Sequence, residues 1–228
     1  MFTRTPLRRF AIAVTALVAA AIVPGAATAA AAPQHRECSG YVGLTFDDGP
    51  GETTPQLLKA LQDNGLRATM FNRGGYAAAD PVGVEAQVAA GMWVGNHSYT
   101  HPHMTQLSRE EMEAEISRTQ RAISSAGVPA PELFRPPYGE TSAALRSVAR
   151  SHGLGEVLWD VDSQDWNGAS VDEIVAASGR LTDGQIILLH DWPANTLAAI
   201  PRIAATLAGN GLCSGAISPV TGRAVAPH

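Results

Sequence analysis

Residues 41–50, Tyr41-Val42-Gly43-Leu44-Thr45-Phe46-Asp47-Asp48-Gly49-Pro50, decide how the rest of the chain is read. A short apolar run ends on two adjacent carboxylates and a Gly-Pro turn. A helical pattern follows at once. It begins at Thr54 with Pro55 in the first turn, carries Leu57, Leu58 and Leu61 inward, and stops at Gly65. Strand, polar tip, helix is a unit that the chain repeats. Further strands are predicted over residues 67–71, 92–95, 133–134, 156–159 and 185–189. The longest predicted helix opens at Ser108 with Glu111 three residues on, a capping box; Met112, Ile116 and Ile123 form its apolar stripe and Gly127 ends it. Its acids (Glu110, Glu111, Glu113, Glu115) precede Arg118 and Arg121, as the helix dipole favours. Other helices are predicted over 141–152, over 170–178 with Glu173 closing a second capping box, and within 196–207, with Pro201 near the start of the last. Such alternation implies one α/β domain: a parallel sheet with helices outside, wound open or closed into a barrel.

The amino end reads as an address. Arg8 and Arg9 precede an uncharged run over residues 10–23, and small residues follow over 26–32. This is the layout of a secretory signal, too short in its apolar part to cross a bilayer as a stable helix. Residues 1–32 are therefore expected to be removed, with the cut between 29 and 32, leaving a secreted, extracellular protein off the membrane. The folded domain is expected over 38–217 and a loose tail over 218–228. Without Arg4, Arg8 and Arg9 the 16 basic residues become 13 against 21 acidic ones, a net charge of −8. An acidic body with no basic run is a poor partner for nucleic acid. Export also makes the two cysteines readable: Cys38 and Cys213 are expected to be bridged, which requires the two ends of the domain to meet.

The unusual polar residues fall where the predicted strands end. Asp47 and Asp48 follow the first, His97 the third, Arg135 the fourth, Asp162 and Asp165 the fifth, and His190 the sixth. In parallel α/β folds the carboxyl ends of the strands form the rim on which sites are assembled. His97 and His101 are spaced i, i+4, so one helical turn would bring both imidazoles to one face. Two histidines and one carboxylate make a three-ligand set with open positions, which suits zinc. The second aspartate of the pair is then free to act as a base. Asp165 is placed to orient His190 as an acid–base group. Arg135 lies in a stiff stretch, Arg135-Pro136-Pro137-Tyr138-Gly139, and Tyr99, Tyr138, Trp166 and Trp192 surround the same rim. Gly-x-Ser-x-Gly, Gly-x-x-x-x-Gly-Lys and His-Glu-x-x-His are all absent from the sequence, which argues against serine hydrolases, nucleotide binding and zincin proteases.

Five stretches, in order, carry a resemblance: Thr45-Phe46-Asp47-Asp48-Gly49-Pro50, His97-Ser98-Tyr99-Thr100-His101, Arg135-Pro136-Pro137-Tyr138-Gly139, Asp162-Ser163-Gln164-Asp165-Trp166 and Leu188-Leu189-His190. The chain resembles the polysaccharide deacetylases, carbohydrate esterase family four, and within them secreted bacterial acetylxylan esterases. The resemblance implies a distorted (β/α) barrel. It implies that Asp48, His97 and His101 hold a divalent metal, Zn²⁺ with Co²⁺ as a substitute. It makes Asp47 the general base held by Arg135, and His190 the general acid tuned by Asp165. The backbone N–H of Tyr138 would stabilise the oxyanion, while Trp166 and Leu188 would wall the acetyl group. The implied substrate is an acetylated polysaccharide or oligosaccharide, handled by a monomer. Such relatives often carry a carbohydrate-binding module as well; none is expected within these residues. The readings left open are an N-deacetylase of chitin oligomers or peptidoglycan, a glycan binder without activity, and an Fe(II) oxygenase on the same ligand set.

Overall fold

A computed structural model describes Met1, Phe2 and residues 38–227. The expected leader therefore lies outside the described residues apart from its first two. Eight strands form one all-parallel sheet. From β1 (Gly40–Asp47) the order runs through β2 (Thr69–Asn72), β3 (Trp93–Asn96) and β4 (Leu133–Phe134) to β5 (Gly155–Glu156). On the other side of β1 lie β7 (Ile186–His190) and then β6 (Val161–Asp162), and β8 (Leu212–Ser214) pairs with the start of β1. The two edge strands, β5 and β6, are joined by residues 157–160 alone, which reach at most about 17 Å. The edges are thus drawn together and the sheet curls into a distorted barrel.

That closure corrects the strand predicted over 156–159. The carbonyls of Val157 and Leu158 accept from the Arg135 guanidinium, at 3.4 and 2.9 Å, instead of continuing a ladder. The segment breaks into two short strands on opposite edges, and Asp162 ends β6.

The helices are α1 (Thr54–Asp63), α2 (Gly74–Ala79), α3 (Pro81–Ala89), α4 (Arg109–Ser124), α5 (Ala143–Ser151), α6 (Val171–Ser178) and α7 (Ala194–Gly209). Both expected capping boxes, Ser108 with Glu111 and Ser170 with Glu173, are formed. Sequence reasoning named no helix between β2 and β3, although Asp80 caps α3 through Gly83 N–H with Pro81 behind it. Pro201 is not near the start of the last helix but inside α7. It is exposed there, so the carbonyl it leaves without a donor can turn to water.

Side chains alternate across the strands and sort the core. Val42, Leu44 and Phe46 of β1 and Ile187 and Leu189 of β7 face outward, against Leu57 and Leu61 of α1, Ile174 of α6 and Ile200 and Ile203 of α7. The alternate positions, among them Thr45 and Asp47 of β1 and Ile186, Leu188 and His190 of β7, are left for the barrel interior and its rim. Inside the barrel Phe71, Leu133, Val157, Ile186 and Ile217 pack together.

Cys38 and Cys213 are bridged as expected, with their Cα atoms 5.7 Å apart. The bridge closes a loop of 175 residues, which in the chain-entropy account constrains the unfolded chain by about 5 kcal/mol. The tail is not loose: β10 (Ala224–Val225) pairs antiparallel with β9 (Ala216–Ile217), and Arg223 reaches Asp160 at 2.9 Å.

Candidate active site

The register of β1 and β7 sets the site. Asp47 pairs with His190 and Thr45 with Leu188, and neighbouring strands lie about 4.8 Å apart. A carboxylate and an imidazole therefore leave adjacent strand ends on the same face. Asp48, His97, Arg135 and Tyr138 come from the loops that follow β1, β3 and β4, and Asp165 and Trp166 from the turn that follows β6. Among the described residues, every non-glycine residue with positive φ sits in these loops: Asp48 (75°), Ser98 (61°), His101 (64°), Tyr138 (59°) and Gln164 (59°). Each such conformation costs on the order of 1–3 kcal/mol, and strain of this kind gathers where side chains are aimed.

Asp47 and Arg135 are buried together, at 2% and 0% exposure. Arg135 Nη1 donates to Asp47 Oδ1 at 2.9 Å and to Thr45 Oγ1 at 2.6 Å. Period-two alternation puts Thr45 and Asp47 on one face, so one guanidinium nitrogen serves both. Burial raises the pKa of Asp47, while Arg135 and His190 pull against it; the net direction is up, as suits a base. Gly49 is required beside them, because a Cβ there would lie 2.7 Å from Asp191 Oδ2.

His97 Nδ1 donates to the Arg135 carbonyl at 2.8 Å, which leaves the Nε2 lone pair free. Burial depresses its pKa to about 3, so it is the neutral imidazole that a metal requires. Asp48 Oδ1 lies 3.9 Å from His97 Nε2 and 3.5 Å from His101 Nε2. That oxygen is buried and has no hydrogen-bond partner. Donor atoms of Asp48, His97 and His101 all fall within 4.8 Å of one another. An orphaned carboxylate oxygen facing two imidazole nitrogens fits a divalent cation. The helical turn expected over 97–101 is not formed. The loop is shaped instead by positive φ at Ser98 and His101 and by Glu115 of α4. Glu115 accepts from Tyr99 N–H and Thr100 N–H, both at 2.7 Å, and from Thr100 Oγ1 at 2.9 Å. Sequence reasoning took Glu115 for a dipole acid; its burial, which one sequence does not reveal, is the signal that was missing.

His190 donates from Nδ1 to Asp165 Oδ1 at 2.8 Å. Asp165 Oδ2 accepts from His190 N–H at 2.7 Å and from Thr196 Oγ1 at 2.6 Å. Burial alone would lower the His190 pKa; the Asp165 hydrogen bond and the charges of Asp47, Asp165 and Asp48 outweigh it and raise it. In the acid role expected for it His190 must be protonated, so that role predicts activity that falls as pH rises through this raised pKa. Asp165→Asn removes the charge and lowers that pKa. The alkaline limb of kcat/KM is then expected to move to lower pH, read directly from a pH–rate profile; an unmoved limb would detach Asp165 from His190.

Asp47, Asp48, His97, His101 and His190 line a pocket of about 430 Å³ together with Pro136, Tyr138, Trp159, Asp162, Trp166, Leu188 and Trp192. Tyr138, Trp166 and Trp192 are exposed on its rim. The Tyr138 ring meets the edge of His101 at 4.7 Å and stacks on His103 at 4.2 Å. Of the expected site residues, Arg135 and Asp165 are buried and hold Asp47 and His190, the others line this pocket, and Tyr99, also expected at the rim, does not line it and lies against Arg118 of α4. Sequence reasoning missed Thr45, Trp159, Thr196, Glu115 and Asp191. Asp191 is buried, accepts from Thr54 Oγ1 at 2.8 Å, and through it steadies Gly51 N–H.

The description polysaccharide deacetylase belongs to the family whose sequence model matches residues 35–157. The bifunctional xylanase/xylan deacetylase of Cellvibrio japonicus is 50% identical over 192 residues, covering 83% of this chain and 29% of that protein. The peptidoglycan-N-acetylglucosamine deacetylase of Listeria monocytogenes is 36% identical over 174 residues, covering 75% of this chain and 36% of that one. A family 4 carbohydrate esterase from Streptomyces lividans, solved in complex with acetate, shares 72% identity and a TM-score of 0.83 over 84% of this chain and all of its own. This chain spans well under half the length of the first two relatives.

Proposed function

The chain belongs to the polysaccharide deacetylase family, carbohydrate esterase family 4, and from that premise we propose that it is an exported, metal-dependent esterase that frees acetate from O-acetylated xylan. The observation that carries the chemistry is Asp47: a buried carboxylate with one oxygen hydrogen-bonded to Arg135 and the other 3.6 Å from His97 Nε2, at the edge of the three-donor cluster of Asp48, His97 and His101. The xylan reading rests on the 50% identity to a xylan deacetylase. The leader and the disulfide both suit an oxidising compartment outside the cell.

A divalent cation held by Asp48, His97 and His101, Zn²⁺ by the donor set and Co²⁺ as a substitute, supplies the Lewis acidity that acidifies water and polarises the acetyl carbonyl. Asp47 takes the proton of the attacking water. Arg135 keeps that carboxylate ionised and aimed until it does. The Tyr138 N–H stabilises the tetrahedral oxyanion, a donor typically worth about 3–4 kcal/mol. His190, protonated at Nε2 with Nδ1 tied to Asp165, passes its proton to the departing sugar oxygen. Trp166 and Leu188 wall the methyl group and exclude water.

Liberated acetate, measured on acetylated xylan, chitooligosaccharides and peptidoglycan fragments, tests the reading. The expected result is release chiefly from xylan, abolished by chelator and restored by Zn²⁺ or Co²⁺. Full activity in metal-free protein sinks the metal role. Release chiefly from the N-acetylated substrates, which the 36% identity to a peptidoglycan deacetylase favours, would replace xylan as substrate while keeping the chemistry.

A further inference from the structure

The catalytic scheme leaves one cation at the rim unused. Arg73 follows β2 directly and is wedged between both loops of the candidate metal site. Its N–H donates to the Gly49 carbonyl at 2.9 Å, beside Asp48, and its Nη2 donates to the Thr100 carbonyl at 3.3 Å, beside His101. The guanidinium stacks over the Tyr76 ring at 4.5 Å, with a long contact of 3.4 Å to the Tyr76 hydroxyl. Its Nε is buried and has no hydrogen-bond partner. No carboxylate of the described residues pairs with Arg73, although the mature chain carries a large excess of acids. Arg135, by contrast, is wholly committed to the interior. Arg118 of α4, stacked on Tyr99 at 3.7 Å, is a second arginine beside the 98–101 loop that pairs with no carboxylate of the described residues.

We infer that Arg73 and Tyr76 form a subsite for a carboxylate-bearing sugar, a uronic acid substituent on the polysaccharide near the acetyl group that is removed. A planar guanidinium with unused donors matches a carboxylate, and the Tyr76 face, 45% exposed, offers the apolar plane on which a pyranose ring lies. The subsite touches the two loops that carry Asp48 and His101, outside the residues that line the acetyl pocket itself. This inference rests on the polysaccharide esterase reading above and adds which chains are chosen.

The test compares kcat/KM on acetylated xylooligosaccharides with and without a uronic acid substituent, at low and high salt. The intact protein is expected to favour the acidic substrate by about three- to tenfold at low salt, mainly through KM, and to lose that preference as salt screens the contact. Arg73→Gln is expected to bring the two substrates level, and Arg73→Lys to keep part of the preference. Equal rates on both substrates in the intact protein overturn the subsite. So does an Arg73→Gln variant that slows both substrates alike, which would make Arg73 a support of the metal loops. The salt arm needs no variant, so a variant that misfolds leaves the test decisive. Acetate released from neither xylan substrate is a separate outcome, the failure of the esterase reading itself.

Discussion

Asp47→Asn is expected to lower kcat for acetate release by about 10³-fold while the cation stays bound and the fold stays intact. The exchange is nearly isosteric, and the amide oxygen still accepts from Arg135 Nη1, now 2.9 Å from the carboxylate. None of the three clustered donors is touched, since Asp48, His97 and His101 supply them. What is lost is the ability to accept a proton from water. The check is twofold: kinetics on an acetylated oligosaccharide, and metal content of the purified variant by elemental analysis. Near-normal turnover with metal bound would remove Asp47 as the base. Loss of the metal together with activity would instead make Asp47 a ligand. The same variant separates two explanations of the tandem aspartates, because Asp48→Asn should fail first in metal retention.

The strand tips were readable because a parallel α/β chain writes its site at fixed points of its pattern. An apolar run ending in Asp47-Asp48 or His190 says where the rim is before any coordinates exist. Helices with capping boxes were equally plain, since Ser108 with Glu111 and Ser170 with Glu173 are local signals satisfied by local bonds. The parts that escaped depend on distant partners. Nothing around residue 157 announces that its carbonyl turns to Arg135 and ends a strand. Glu115 sits among exposed acids on α4, and only the packing of that helix against the 98–100 loop makes it a ligand for three donors. The spacing of His97 and His101 suggested a helix for a sound reason and was realised by another route. Two positive-φ residues bend the loop back, and the imidazoles meet without a helical turn. α2 was hidden by Gly74-Gly75 and an alanine run, which carry no apolar stripe.

Arg135→Met is expected to cost about 3–5 kcal/mol of stability at neutral pH, a larger loss than its contacts in an exposed setting would give. Methionine replaces the volume of the stem, so the penalty is electrostatic: Asp47, 2% exposed, is left without its cation and must either carry an unpaired charge or take up a proton. For a domain of this size about 2–4 °C of Tm accompanies each kcal/mol, so a fall of about 10 °C is expected. The measurement belongs in chelator, where a cation at Asp48 does not stand in for the lost guanidinium. The sign with pH follows from burial, which already holds the folded pKa of Asp47 above its usual 3.8 and acts with less opposition once Arg135 is gone. The folded state then binds the Asp47 proton more tightly than the unfolded chain does. The variant's deficit is full above the folded pKa, shrinks as pH falls through it, and is gone below 3.8. The acid limb of kcat/KM should move to higher pH for the same reason. Combining Asp47→Asn with Arg135→Met removes both charges, and should recover part of the stability that Arg135→Met alone loses. A variant as stable as its parent, with an unmoved acid limb, would mean that the Asp47 charge is held by something other than Arg135. The buried pair is therefore better understood as the means of keeping a base ionised in a dry pocket than as a source of stability in its own right.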